Sequence, residues 1–323
     1  MSRTEHIQRP VASASQPVSW PPRDLTLVGI SMVRDEADII DEWLDHTLGV
    51  LDGLVVVAHN CTDGTLERLV ARARSGAPLA VLAQNTETFR QGETLTAVAR
   101  SIAARFRPDW IFALDADEFI AAESRAAIED GLRALPSAAA GLLPWRTYLP
   151  PRPGPGALLE RAERCLAQEP APQCKVVFPF GVLADANVVV VEGSHGVARL
   201  EGSGLVPLSH AYVPGVSLAH LPVRSEHQLR RKVTAGEQAI RRVRREGSPM
   251  AWHWAELASR FQSESALSPA ALEDIALRYY AFAGPAGPCQ SLPAHQVIRR
   301  PILCPSRQLP ERSDVRKPVA MGV

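Results

Sequence analysis

The stretch from Leu25 to Phe119 alternates between two hydrophobic periods, and this alternation limits the fold more than any other feature of the sequence. Short apolar runs rich in β-branched residues are typical of buried strands, and amphipathic stretches between them are typical of helices. The strands are predicted at 25–33, 54–58, 79–82 and 110–114, and the helices at 39–48, 65–74 and 93–106. This order predicts an α/β fold with a Rossmann-like, mainly parallel sheet and helices on both faces.

The remaining sequence predicts four further regions around this Rossmann-like half, which spans residues 25–150. Residues 1–24 are polar and contain Pro and Ser, so we expect a disordered tail. Residues 151–224 begin with a proline-rich loop and contain further strand patterns. Residues 225–283 are predicted as C-terminal helices, and residues 284–323 as a weakly ordered extension.

Charge and cysteine content exclude several classes of protein. The 35 Lys and Arg residues balance the 35 Asp and Glu residues, so the formal net charge is zero. Because no net positive charge attracts nucleic acid, we expect no nucleic-acid partner. The five cysteines form no C-x-x-C pair, which argues against a disulfide framework or a structural zinc site. No apolar run predicts a signal peptide or a transmembrane helix. We therefore expect a cytoplasmic protein, and peripheral membrane association stays open.

Polar clusters follow three of the predicted strands, at 34–36, 59–63 and 115–117. In parallel sheets, ligands bind beyond the carboxyl ends of the strands. Asp115 and Asp117 lie two residues apart where the chain leaves the sheet, so they can share a divalent ion with phosphate oxygens. An isolated D-x-D is more often only an acidic turn. Its position after a buried strand, together with two other motifs, favours the metal site.

The three motifs resemble those of the family 2 glycosyltransferases, and in particular a bacterial branch with a D-x-D-E-F core. They read VRDEADIIDEW at 33–43, NCTDGT at 60–65 and DWIFALDADEF at 109–119. Weaker similarity around His195, and from His220 to Gln228 followed by Lys232, extends the resemblance to about residue 240.

The resemblance implies a GT-A fold whose 25–150 half binds a nucleotide-sugar donor, with residues 151–224 on the acceptor side. It implies that an Mn²⁺ or Mg²⁺ ion neutralises charge on the diphosphate of the donor. It also implies inverting transfer of the sugar to the hydroxyl group of a glycan, a lipid-linked saccharide or a small metabolite. The implied metal ligands are Asp115, Asp117 and His220, and His195 is the candidate base or acceptor contact. The implied donor-binding residues are Arg34, Asp35, Glu36, Asn60, Asp63, Asp115, Arg224 and Lys232.

Structural roles stay open for several of these residues. Asp35 and Glu36 also suit the start of a helix, and Asn60 and Asp63 also suit a turn. His59 stands where the family has an aspartate that binds the nucleobase of the donor. An imidazole cannot replace that carboxylate, so the sequence does not predict which nucleobase the donor carries. Two alternatives follow: a binding protein with a GT-A fold that has lost catalysis, and a nucleotidyltransferase. The lack of glycine at 32–36 argues against the nucleotidyltransferase.

Overall fold

The structure is a computed structural model that describes residues 10–12, 24–86, 89–169, 173–202, 204–243, 257–259, 261, 266–279 and 297–305. Its strands are β1 (Pro10–Ala12), β2 (Leu27–Val33), β3 (Gly53–His59), β4 (Leu79–Gln84), β5 (Trp110–Ala113), β6 (Glu118–Ala121), β7 (Ala140–Thr147), β8 (Arg164–Leu166), β9 (Cys174–Pro179), β10 (Val188–Val190), β11 (Val197–Glu201), β12 (Gly204–Pro207), β13 (His210–Tyr212), β14 (Ser217–His220) and β15 (Val297–Arg299). Its α-helices are α1 (Ile40–Val50), α2 (Thr65–Arg74), α3 (Gln91–Phe106), α4 (Arg125–Arg133), α5 (Leu158–Arg161), α6 (Glu226–Val243) and α7 (Pro269–Leu277).

Strands β4, β3, β2 and β5 lie side by side in that order and run parallel. Strand β3 shows why the pattern predicted this arrangement. Leu54 and Val56 belong to the core cluster that includes helices α1 and α2, whereas Val57 belongs to the cluster that includes α3. Both faces of the strand are therefore covered, which requires a continuous apolar run. The predicted α/β class, with helices on both faces of a mainly parallel sheet, is confirmed.

Beyond β5, the sheet continues through β9, β7, β14 and β6. Strand β9 is antiparallel to β5 and β7, and β14 is parallel to β7 but antiparallel to β6. The pairing of β14 with β6 places His220 directly opposite Glu118. The second half of the chain therefore returns to the D-x-D segment.

The C-terminal helices form a third, smaller core. Leu229 and Val233 of α6 pack against Leu257 and against Ile275 of α7. Both helices lie within residues 225–283, where the sequence predicted C-terminal helices, and residues 244–256, 260 and 262–265 lie outside the described residues. Of the helices in the described part of the chain, none is both long and apolar enough to cross a membrane.

Two short strands lie in segments that the sequence predicted as disordered or weakly ordered. Strand β1, within the expected 1–24 tail, pairs antiparallel with β4, and β15, within the expected 284–323 extension, pairs with β8. Each gains order by adding hydrogen bonds to a strand that would otherwise have an open edge. The rest of 1–23 and of 284–323, apart from residues 300–305, lies outside the described residues.

Candidate functional site

The D-x-D segment forms a tight turn between β5 and β6 at the carboxyl edge of the parallel strands. The backbone N–H of Asp115 donates to Glu118 Oε2 at 3.0 Å, and the N–H of Glu118 donates back to the Asp115 carbonyl at 3.2 Å. Asp117 and Glu118 are buried, whereas Asp115 is partly exposed. The turn therefore places two carboxylates in the protein interior and leaves a third, that of Asp115, in partial contact with solvent.

Asp117, Glu118 and His220 form a group that could hold a metal ion. One ligand atom from each residue lies within 4.8 Å of the other two. Within the described residues, Glu118 Oε1 and His220 Nδ1 are buried without a hydrogen-bond partner. Two carboxylates and one imidazole fit Mn²⁺ well, while Mg²⁺ prefers oxygen ligands only.

The protonation states of this group follow from its burial. Burial lowers the pKa of His220 to about 4, so the imidazole is neutral at physiological pH and keeps a lone pair for a metal. Burial raises the pKa of Glu118 well above its usual range, although Lys175 opposes this shift. A bound metal ion would favour the ionised form of Glu118 and so oppose this upward shift of its pKa.

Asp115 lies outside this group, although the resemblance implied it as a metal ligand. Its Oδ1 accepts from Gln91 Nε2 at 2.9 Å and its Oδ2 accepts from Lys175 Nζ at 2.5 Å. Lys175 also donates to the Gly193 carbonyl at 2.8 Å and lies 3.6 Å from Glu118 Oε1. The structure therefore brings together two of the three expected ligands, Asp117 and His220, and the third member of the group is Glu118.

The sequence analysis missed Lys175. The chain has only three lysines, and this one lies in an apolar strand, where its side chain is 1% exposed. A buried ammonium group requires an anionic partner, so a lysine at this position was a signal that could have been used.

Asp117 has its own cation, Lys232 of α6, whose ammonium group hydrogen-bonds Asp117 Oδ2. Burial alone would raise the pKa of Asp117, but the charge of Lys232 holds this pKa well below its usual range. In the other direction, Asp117 raises the pKa of Lys232 against the effect of burial. The two residues form an ion pair where the Asp117–Glu118–His220 group meets α6.

Arg224 is not free to bind phosphate in this structure. Its guanidinium group bonds Asp38 through Nε at 2.7 Å and Nη2 at 2.9 Å, and it also bonds Glu36. Its side chain is 1% exposed. Arg224 therefore joins the loop after β2 to the start of α6, and Glu36 helps to hold this connection.

Asp35, Asn60 and Asp63 bind neighbouring loops. Asp35 Oδ1 accepts from the Thr62 N–H at 2.6 Å, and Asn60 Nδ2 donates to the Thr86 carbonyl at 2.7 Å. Asp63 Oδ1 accepts from the Thr65 N–H at 3.0 Å. Asp35 and Asn60 have positive φ angles of 56° and 49°. For Asn60 and Asp63, these contacts favour the turn role that the sequence had left open.

A small cleft of about 20 Å³ adjoins the Asp117–Lys232 pair. It is lined by Arg34, Asp35, Glu36, Gln228, Arg231, Lys232 and Ala235. In the described part of the chain, Arg34 Nε makes no hydrogen bond, and it lies 3.9 Å from Asp35 Oδ2. Three cationic side chains therefore line one small cleft together with the carboxylates of Asp35 and Glu36, and Arg231 also bonds Asp63 Oδ2 at 2.6 Å. Arginine and lysine side chains are the usual partners of phosphate oxygens.

Trp145 connects the two histidines that the sequence analysis selected. Its ring stacks on His220 with centroids 4.2 Å apart, and it meets the edge of His195 at 5.6 Å. His195 is exposed and its Nδ1 lies 2.8 Å from the Cys174 carbonyl. Nδ1 is therefore the protonated nitrogen, and Nε2 keeps the lone pair. Trp145 was missed because no local pattern marks it.

No protein-family model and no curated protein matches this sequence. Among solved structures, the chain is similar to a TarS fragment from S. aureus, with 12% identity and a TM-score of 0.37 over 61% of each chain. It is also similar to the mannosyltransferase PcManGT from Pyrobaculum calidifontis, in complex with GDP-Man and Mn²⁺. That similarity has 17% identity and a TM-score of 0.39, and it covers 83% of this chain and 84% of the other.

Proposed function

We propose that this protein is a metal-dependent glycosyltransferase that moves a sugar from a nucleotide-sugar donor to a hydroxyl acceptor. The observation that carries the proposal is the grouping of Asp117, Glu118 and His220 beside the cleft that Arg34, Arg231 and Lys232 line, at the carboxyl edge of the parallel strands. Ligands of α/β sheets bind at this edge. The three motifs that resemble those of family 2, at 33–43, 60–65 and 109–119, support the same reading.

The chemistry of the site fits the departure of a nucleoside diphosphate. Asp117, Glu118 and His220 would hold Mn²⁺ or Mg²⁺, which neutralises charge on the leaving diphosphate when bound. Arg34, Arg231 and Lys232 line the adjacent cleft and supply further positive charge. In this reading the half at 25–150 binds the donor, and Asp115 shapes the site through Lys175 instead of binding the metal.

His195 is the candidate base for an inverting reaction. Its exposed ring, with the lone pair on Nε2, could accept a proton from an acceptor hydroxyl. Residues 151–224, which contain His195, would face the acceptor. A glycan, a lipid-linked saccharide or a small metabolite each supplies a suitable hydroxyl, and the lipid-linked case would involve peripheral contact with a membrane.

The test is release of nucleoside diphosphate from a panel of nucleotide sugars with Mn²⁺, Mg²⁺ or EDTA. We expect slow hydrolysis of one donor that requires the metal and falls about 100-fold or more in Asp117→Asn, which loses a charged metal ligand. Asp130→Asn removes an exposed carboxylate from α4 and serves as the matched control.

Two outcomes would replace this function. Tight donor binding with no release of nucleoside diphosphate, with or without acceptors, would favour the binding protein. Release of pyrophosphate from a nucleoside triphosphate and a sugar phosphate would identify a nucleotidyltransferase.

A further inference from the structure

Each aspartate of the D-x-D segment is paired with its own lysine, and the two lysines differ in their freedom to move. Lys175 projects from β9 and bonds Asp115 and the Gly193 carbonyl, and its side chain is 1% exposed. Lys232 projects from α6, and its side chain is 25% exposed. Lys175 is therefore enclosed by protein, whereas Lys232 borders solvent.

Lys232 is also shared between two parts of the site. Its ammonium group bonds Asp117, which belongs to the metal-binding group, and its side chain lines the cleft with Arg34 and Arg231. The centroid of the Tyr279 ring lies 5.7 Å from Nζ. A rotation of this long side chain would move the charge from the carboxylate toward the cleft without moving the helix.

We propose that Lys232 is a displaceable counter-ion, which neutralises Asp117 in the metal-free protein, leaves it when a divalent cation binds there, and then contacts the diphosphate of the donor. The first two steps concern only the metal and this chain. The third step rests on the proposed function, because it assumes a diphosphate ligand in the cleft.

Electrostatics supply the reason for the exchange. Asp117 is buried, so an ammonium group and a divalent cation on the same carboxylate would repel each other strongly at the low local dielectric. Arg224 cannot leave instead, because it is held by Glu36 and Asp38. The arriving diphosphate brings negative charge to the displaced ammonium group, so metal and diphosphate should each strengthen the binding of the other.

The test measures the affinity for Mn²⁺ alone, from the signal of free Mn²⁺ in electron paramagnetic resonance, with no nucleotide present. We expect Lys232→Met to bind Mn²⁺ about tenfold more tightly than the wild type, because a competing charge is gone. Lys232→Gln, which keeps a hydrogen-bond donor, should show the same gain and covers the case in which Lys232→Met fails to fold. Lys232→Arg, which keeps the charge, should resemble the wild type.

Two controls locate the effect. Arg72 of α2 forms an exposed ion pair with Asp45 of α1. Arg72→Met removes this positive charge and should leave the Mn²⁺ affinity unchanged. Asp117→Asn combined with Lys232→Gln should abolish the tight binding. Unchanged or weaker Mn²⁺ affinity in both neutral variants would overturn the proposal, and so would tight binding that survives Asp117→Asn.

The donor step is measured separately, by titrating a panel of nucleoside diphosphates at saturating Mn²⁺. We expect both neutral variants to bind the preferred diphosphate about tenfold more weakly, and Lys232→Arg to retain its affinity. Equal diphosphate affinity in all variants would overturn the donor step. A protein that shows the Mn²⁺ exchange but binds and cleaves no nucleotide sugar would refute the proposed function and leave the exchange of Lys232 supported.

Discussion

Glu192 places its carboxylate against the N-terminus of α3, where Oε1 accepts from the Gln91 N–H at 3.1 Å and Oε2 accepts from the Gly92 N–H at 3.0 Å. This carboxylate satisfies two backbone donors that have no partner within the helix. Glu192 lies three residues before His195, so the same contact fixes the loop that carries the candidate base. The approach is close enough that a Cβ atom at Gly92 would lie 2.8 Å from the Val190 carbonyl oxygen.

Replacement of Glu192 should weaken this connection. We expect Glu192→Ala to lower the free energy of unfolding by about 1–2 kcal/mol, because it removes a carboxylate from a helix N-terminus. Chemical denaturation measures the change, and Glu201→Ala, an exposed carboxylate on β11, is the matched control. Equal stability of the two variants would show that Glu192 contributes nothing at this position.

Lys175 should be essential for stability as well as for the site. Lys175→Met leaves the Asp115 carboxylate without its ammonium partner, and we expect a loss of about 3–5 kcal/mol in the free energy of unfolding. Adding Asp115→Asn should restore part of this loss, because the unpaired charge is then removed. A double-mutant cycle with urea denaturation gives the coupling energy, and additive effects would contradict the pairing.

Arg125 and Arg133 lie on the same helix, α4, and offer a matched comparison of buried and exposed ion pairs. The side chain of Arg125 is 10% exposed and bonds Asp52 at 2.8 Å, whereas that of Arg133 is 42% exposed. We expect Arg125→Met to destabilise the fold by about 3–5 kcal/mol and Arg133→Met by less than about 1 kcal/mol. Thermal and urea unfolding of both variants would reveal any reversal of this order.

His46 should make the stability depend on pH. Burial lowers its pKa from 6.5 to about 4, although its Nε2 donates to the Ile120 carbonyl at 2.8 Å. Below pH 6.5 the unfolded chain binds a proton at His46 that the folded protein does not bind. The free energy of unfolding therefore decreases as the pH is lowered from 6.5 to about 4.

We expect His46→Gln to remove about 3 kcal/mol of the stability lost between about pH 7 and pH 4. The measurement is urea denaturation at a series of pH values. A His46→Gln curve that follows the wild-type curve over this range would show that His46 does not titrate in this way.

The parallel half of the fold could be predicted because its strands are long and covered on both faces. The run from Leu27 to Val33 is buried at every position, and such a run leaves a clear signal in the sequence. Strands β1 and β15 have three residues each, which is too few for any periodicity to register. Their order depends on the strands beside them.

The site was predictable only in part, for a related reason. Asp117 and His220 could be selected because each follows or ends an apolar strand in a recognisable motif. Lys175 and Trp145 reach the site through the register of β9, β7 and β14, which tertiary pairing sets. Arg224 and Lys232 were selected as phosphate ligands, since the sequence does not reveal the carboxylates that they bind.

The charges of the site are divided along the chain. The carboxylates of Glu36, Asp38, Asp115 and Asp117 precede residue 120, and their partners Lys175, Arg224 and Lys232 all follow residue 170. On the ribosome, the nascent first half would present these carboxylates with none of those cations available. Closure of the site must therefore wait until α6 has been synthesised, and the first half of the chain on its own should not assemble the site.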